Sequence, residues 1–226
     1  MIRCIGAIMP DMKIVISDPE AEKSRWIKVV FIADPALPYG EDEKSGRKLM
    51  KARISHMLYQ IINPELGVAN ARIWKSSTEK VNFQIQVSAD SSVSDLYVMI
   101  PENFMREKLG SNRAIGEIRR ATSYQITLPS DKAQKLYGYK IGDVIEGGLV
   151  GLPGYNLEIR GGSDYSGAPM LSTLSGPGKR YLLLSSPPGF RPKEKGLRKR
   201  KLVRGNTISE ATTQVNTVIV REKKTQ

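Results

Sequence analysis

Residues Gly189–Gly205, GFRPKEKGLRKRKLVRG, set the tightest limit on what this chain can become. They hold the basic side chains Arg191, Lys193, Lys195, Arg198, Lys199, Arg200, Lys201 and Arg204 against a single acid, Glu194. Apolar residues are sparse and keep neither a helical nor a strand period. Like charges repel, and ordering each backbone residue costs about 1–2 kcal/mol that no burial offsets here, so the stretch cannot fold by itself. Pro192, Gly196 and Gly205 favour an extended, bending path over one long helix. Two readings stand: a solvated basic loop, or a clamp whose Lys and Arg replace counterions along a phosphate backbone. Charge placement favours the clamp. The net charge is +12, and residues 176–226, with thirteen Lys and Arg against three Glu, carry +10 of it. A charge so localised suits a polyanion-binding surface better than general solubility.

With 226 residues, 40% of them hydrophobic, the chain can build one large or two small domains. Cys4 and His56 are the sole representatives of their types. No disulfide can form within the chain, which fits a reducing compartment, and a Cys/His metal centre is excluded. No apolar run approaches the ~18–20 residues that span a bilayer. The opening MIRCIGAIM is a poor secretory signal and reads as a disordered extension over residues 1–11, or as an alternative start at Met9 or Met12. No cofactor is indicated.

Short β-branched runs dominate the rest. Lys13–Ser17 is a buried strand stopped by Asp18-Pro19, and Trp26–Ile32 is a second strand. Leu37–Lys48 reads as a loop. Lys51–Ile62 places Ile54, Met57, Leu58, Ile61 and Ile62 at helical spacing, with His56 on the surface of that helix. Asn70–Lys75 and Val81–Ser88 alternate around Ser76-Ser77-Thr78-Glu79 as a hairpin. Leu96–Ile100 is a strand, and Glu102–Leu109 is a helix closed by Gly110. Tyr124–Leu128 is a strand, followed by a short helix over Asp131–Tyr137 capped by Ser130. The segments YVMIPENFMREKLG…AIGEI and YQITLPSDKAQKLYG…KIGDV share an order of features, so residues 97–118 and 124–144 form a candidate internal repeat. From Asp143 the runs DVIEGGLVG, YNLEIR, RYLLLS and TQVNTVIV are strand candidates punctuated by glycines, as in a small barrel that closes off its sheet edges.

Within this half, IRGGSDYSGAPM (Ile159–Met170) is the most specific stretch. Gly161-Gly162 allow positive φ and the close approach of another backbone, and Asp164 can hold local amides in an Asx turn. The stretch is either a rigid glycine turn lying against RNA or a structural turn of the barrel. GPGKR (Gly176–Arg180) lacks the spacing and the hydroxyl residue of a phosphate loop, so Lys179 and Arg180 read as phosphate contacts ahead of a strand. Tyr155, Tyr165 and Phe190 either stack on unpaired bases or pack in the barrel. No nucleophile has an evident base partner.

Together, KIVISDP at Lys13–Pro19, YKIGDVIEGGLVGLPGY at Tyr139–Tyr155, GGSDYSGAPM at Gly161–Met170, GFRPKEKGLRKRKLVRGNTIS at Gly189–Ser209 and QVNTVIV at Gln214–Val220 resemble the archaeal and eukaryotic small-subunit ribosomal protein family called S-six-e. The resemblance covers residues 12–20 and about 120–221. It implies a six-stranded β-barrel whose basic C-terminal region grips small-subunit ribosomal RNA, in the cytoplasm, with no enzymatic activity. Ala168 stands where the family usually has Phe, and Glu194 and Leu197 depart from the usual pattern of the basic block. The long C-terminal helix with phosphorylated serines of eukaryotic members has no counterpart here.

The expected architecture is therefore mainly β. A small six-stranded barrel comes from residues 12–20 and 120–221, with a basic extended arm at 186–209 and a tail at 222–226. An inserted α/β module of four strands and two helices occupies residues 21–119. Being near neutral, it reads as the poorer RNA binder and a possible contact for neighbouring ribosomal proteins. The RNA-binding residues expected are Gly161, Gly162, Lys179, Arg180, Arg191, Lys193, Lys195, Arg198, Lys199, Arg200, Lys201 and Arg204. The alternative is a nucleic-acid-binding or translation-regulating protein outside the ribosome. A third reading, an enzyme with a basic docking tail, would need His56 or a buried acid to be essential.

Overall fold

The computed structural model describes residues 11–75 and 79–221. The N-terminal extension, the tail from residue 222 and the tip of the expected hairpin at Ser76–Thr78 lie outside them. The chain divides into two compact units, one of Met1–Ser17 and Thr127–Gln226, the other of Asp18–Ile126.

The first unit opens with β1 (Met12–Ser17), whose alternate side chains Met12, Ile14 and Ile16 are buried. The chain then enters the second unit. Asp18 caps a 3-10 turn over Pro19–Lys23 and pairs with Arg120, whose Nη2 lies 2.5 Å from its Oδ2 and 3.0 Å from Glu65 Oε2. Six strands follow: β2 (Ile27–Asp34), β3 (Met50–Ile54), β4 (Val68–Trp74), β5 (Lys80–Ala89), β6 (Tyr97–Pro101) and β7 (Arg113–Arg120). They close into a barrel in the order β2-β6-β3-β5-β4-β7. Its interior is filled by Phe31, Ile54, Ile73, Ile85, Ile100 and Ile118, with Phe83 and Phe104 in ring contact at 4.9 Å. Closure pairs every strand on both sides and leaves no open edge.

Three short helices decorate this barrel: α1 (Glu41–Lys44), α2 (His56–Ile62) and α3 (Glu102–Leu109). The connectivity has an internal twofold. β2 runs parallel to β6 and antiparallel to β7, while β5 runs parallel to β3 and antiparallel to β4. The pairs β3–β6 and β4–β7 are both antiparallel. Exchanging β2-β3-α2-β4 with β5-β6-α3-β7 leaves every pairing unchanged, so the barrel consists of two like halves.

The chain passes back into the first unit at Thr127, near the end of β8 (Ser123–Leu128), and goes on to α4 (Ser130–Gln134). It continues with β9 (Val144–Glu146), β10 (Asn156–Asp164), β11 (Lys179–Leu184), β12 (Lys199–Arg204) and β13 (Thr212–Val220). A mixed five-stranded sheet has the order β8-β1-β13-β10-β9, with β1 parallel to β13. β11 and β12 form a separate antiparallel hairpin. Leu157, Ile159, Val215, Ile219, Leu136 and Ile208 are among the buried apolar side chains of this unit.

The mainly β architecture with a six-stranded closed barrel holds, but the closed barrel is built by residues 27–120. That segment was expected to be a four-stranded α/β module. The flanking segments, expected to form the barrel, make the open sheet and the hairpin. Two strands account for the difference. Met50–Ile54 shares the apolar spacing of the helix that follows it, and Ser55, whose Oγ accepts from the Leu58 amide at 3.1 Å, starts α2 only at His56. β7 runs unbroken through Gly116, a residue type that weakens a strand signal, and no strand is read there from the sequence alone. A Cβ there would stand 2.3 Å from the Arg72 carbonyl oxygen, so only glycine lets β4 and β7 pair at this point. The candidate repeat of 97–118 with 124–144 also gives way. Ile115-Gly116-Glu117 lies inside β7, whereas Ile141-Gly142-Asp143 is a turn with Gly142 at φ +98°.

Candidate nucleic-acid interface

The basic stretch is partly folded. Gly189–Arg198 forms an irregular loop, and Lys199–Arg204 is strand β12. What sequence could not supply is a partner: β11 pairs with this strand through all six residues, Lys179 opposite Arg204 to Leu184 opposite Lys199. Backbone hydrogen bonds and the alternation of side chains let a charged strand order without a core of its own. Lys179, Tyr181, Leu183, Arg200, Leu202 and Arg204 share one face of the hairpin. Arg180, Leu182, Leu184, Lys199, Lys201 and Val203 share the other.

The base of the hairpin is fastened by Asp164, which is 2% exposed. Its Oδ1 accepts from the amides of Ser166 (2.8 Å) and Ala168 (3.0 Å) and from Ser166 Oγ (2.7 Å). Its Oδ2 lies 2.6 Å from Lys179 Nζ and 3.3 Å from Arg204 Nη1. Burial alone would push this carboxyl up. The hydrogen bonds from Lys179, Ser166 and the Ala168 amide overcome that and hold it well below the usual carboxylate range. The hydrogen bond to Asp164 in turn raises Lys179. Arg204, 5% exposed, also donates to Ser209 Oγ at 2.6 Å. It is therefore a structural tie, and its reading as a phosphate contact gives way. Lys179 is largely committed to the same tie and lies 4.1 Å from the Tyr165 ring.

The glycine motif also differs from expectation. Gly161 and Gly162 lie in β10, not in a turn, and neither has positive φ. The register of β10 against β13 shifts between Ile159 and Gly161, so the strand is bulged there. A Cβ on Gly162 would meet the Gln214 carbonyl oxygen at 2.3 Å, whereas a Cβ on Gly161 would meet nothing within 4 Å. The tight turn follows at Asp164–Ala168, with Gly167 at φ +77°. Asp164 builds the expected Asx turn.

Arg180 and the run Arg191–Arg200 are exposed, and Lys201 is half-buried. Among the described residues, no ion pair engages Arg180, Arg191, Lys193, Lys195, Arg198, Lys199, Arg200 or Lys201. Beside them Tyr181 and Leu183 are 67% and 60% exposed. Sequence reading did not single out Tyr181, because the contiguous run Tyr181–Leu184 shows no alternation that would mark an outward face. Of the three aromatics singled out earlier, Tyr165 is exposed at 69%, while Tyr155 and Phe190 are half-buried. His56 sits exposed in the first turn of α2. No helix among the described residues is long and apolar enough to cross a membrane.

The hairpin and its loop thus present exposed cations without an acidic partner among the described residues, above a base held by the buried Asp164–Lys179–Arg204 tie. The family model for ribosomal protein S6e matches residues 112–226. The small ribosomal subunit protein eS6 of Hyperthermus butylicus is 48% identical over 217 residues, spanning 96% of this chain and 100% of the relative. The eS6 proteins of Staphylothermus marinus (41%; 93% and 99%) and Saccharolobus solfataricus (42%; 94% and 100%) are similar over nearly the same extent. The chain belongs to the ribosomal protein S6e family. These alignments run well beyond the residues matched by the family model, so the similarity also takes in most of the barrel unit. Among solved structures, a computationally designed protein, msDPBB_sym2, matches 43% of this chain and all of its own length at 15% identity, with a TM-score of 0.28.

Proposed function

We propose that this chain is a structural, non-enzymatic constituent of the small ribosomal subunit in the cytoplasm. It holds ribosomal RNA along the β11–β12 hairpin and the loop between its strands. The observation that carries the reading is the row of exposed cations with no internal acidic partner: Arg180, Arg191, Lys193, Lys195, Arg198, Lys199, Arg200 and Lys201. Cations that satisfy nothing inside the fold are available to displace counterions from phosphate, with Arg offering a bidentate fork and Lys a point charge. Tyr181 adds a face on which an unpaired base stacks. Gly161, open where a side chain would stand, gives the RNA backbone room to approach. Lys179, Gly162 and Arg204 serve the fold that presents these groups. The eS6 relatives are small-subunit proteins by name, which supports the ribosomal setting.

Co-sedimentation tests the reading. The protein is expected in stoichiometric amount on purified small subunits after a high-salt wash. Release into the free fraction, with RNA binding retained, would favour a regulator acting outside the ribosome. Crosslinks to ribosomal RNA should fall in Arg180–Lys201.

A further inference from the structure

The barrel unit carries a second surface with the chemistry of RNA recognition. Strands β5, β4 and β7 are neighbours, and their alternation sends Ala69, Ala71, Ile73, Phe83, Ile85 and Ile118 inward. The outward positions fall into rows across the strands: Lys80 beside Trp74, then Asn82, Arg72 and Glu117, then Gln84, Asn70 and Arg119. Trp26, just ahead of β2, joins the same face. Its ring lies 4.1 Å from the Arg72 guanidinium and 4.6 Å from that of Arg119. Lys80 Nζ lies 3.9 Å from the Trp74 ring. Both tryptophans of the chain are thus on this one face.

The polar groups there are not fully used. Arg72 is neutralised by Glu117, with Nε 2.6 Å from Oε2. Arg119 forms no ion pair among the described residues, and its Nε is buried with no hydrogen-bond partner among them. A buried N–H without an acceptor costs free energy that an incoming acceptor would recover. Arg119 lines an open groove of about 460 Å³ whose wall also includes Trp26, Asn70, Arg72, Asn82 and Gln84.

We infer that this face binds unpaired nucleotides of RNA, with bases stacked on the Trp26–arginine cluster and on Trp74, and with the Arg119 Nε–H donated to a phosphate or base oxygen. Planar guanidinium and indole groups offer stacking surface to any base, and carboxamides both donate and accept, as base edges require. Glu117 offsets Arg72 and leaves Arg119 and Lys80 as the two uncompensated cations among the residues named, against eight on the hairpin and its loop, so charge alone holds an acidic ligand less strongly here. Stacking with hydrogen bonding distinguishes an unpaired nucleotide from a polyanion held by charge alone. The site lies in a different unit from the hairpin and stands or falls separately from it.

Because both tryptophans report on this face, their fluorescence in the full chain is a site-specific probe. An unstructured ten-nucleotide single-stranded RNA is expected to quench it saturably. Arg119→Ala and Asn82→Ala should each weaken that quenching affinity, by about tenfold for Arg119→Ala. Replacing Arg191, Lys193 and Arg198 by Gln should leave the quenching in place while lowering total RNA binding. Asn82 is exposed, so its variant keeps the test decisive if Arg119→Ala does not fold. Binding of labelled RNA, seen by anisotropy, without any quenching would overturn the inference while sparing the hairpin reading. Equal quenching by duplex RNA or by polyglutamate would also overturn it, the latter pointing to an acidic protein segment instead. If the unmodified chain shows neither quenching nor an anisotropy change, this inference fails, while co-sedimentation with small subunits decides the hairpin reading separately.

Discussion

Asp164 is the residue on which the basic hairpin depends. Its carboxylate gathers two amides, a hydroxyl and two cations at 2% exposure, so replacing it leaves Arg204 buried without a counter-charge. Asp164→Ala is expected to cost about 3 kcal/mol in denaturant unfolding at neutral pH, the scale on which breaking one side of a buried pair is felt. The pH dependence follows from the lowered carboxyl. Its stabilising contribution is fully present above the unfolded value of about 3.9 and is lost as pH falls toward the folded value. The stability gap between the native chain and Asp164→Asn should therefore be wide at neutral pH and shrink progressively below about pH 4. A gap independent of pH would contradict the arrangement. The neighbouring glycines separate in the same way. Gly162→Ala drives a methyl into the Gln214 carbonyl and should lower stability by about 1–3 kcal/mol, whereas Gly161→Ala has open space and should stay within about 0.5 kcal/mol.

At the scale of elements, the hairpin and the barrel solve opposite problems. The hairpin keeps an exposed, charged surface ordered by pairing two strands and anchoring their base, so its outer side chains are free to be changed. Tyr181→Ala and Arg200→Gln should leave the thermal midpoint within a degree or two, since surface substitutions away from buried features usually change stability by less than about 0.5 kcal/mol. Both should weaken RNA binding, and only Arg200→Gln should flatten its salt dependence, by roughly 0.7–0.9 in slope. A loss of salt dependence in Tyr181→Ala would contradict its assignment to stacking. The barrel instead buries its strands completely on the inside and uses a twofold of two like halves to close. That symmetry was hidden in sequence because the halves differ where they were most readable: Ser55 caps α2 by its side chain, whereas α3 follows Pro101 with no side-chain cap and ends on Gly110.

Across the whole molecule, charge and shape are divided between the units. The cations that lack internal partners concentrate in the hairpin and its loop, and the stacking surface, with fewer of them, lies on the barrel. If the eight hairpin cations named above all contact phosphate, log K for the full chain should fall with log salt at a slope of roughly −6 to −7. A slope near zero, measured by filter binding across a range of potassium concentrations, would remove the electrostatic account. A shallower slope would mean that stacking carries more of the affinity.

Local chemistry decided what sequence could determine. The strand runs at β1, β2, β5, β6, β8 and β13, the stop at Asp18-Pro19, the Asx turn at Asp164 and the placement of charge at the C-terminal end are properties of neighbouring residues, readable from period and composition. Family membership was also legible, because GGSDYSGAPM and the VRGNTIS block keep both order and spacing. Tertiary structure decided what depends on residues far apart. It made Lys199–Arg204 a strand by supplying β11, and it turned Arg204 from a surface cation into a buried tie by bringing Asp164 to it across forty positions. It also placed the closed barrel in residues 27–120 and gathered Trp26, Arg72 and Arg119 onto one face. Strand partners and buried ion pairs are long-range choices, and no local pattern in the chain encodes which distant residue will satisfy a given strand edge or charge.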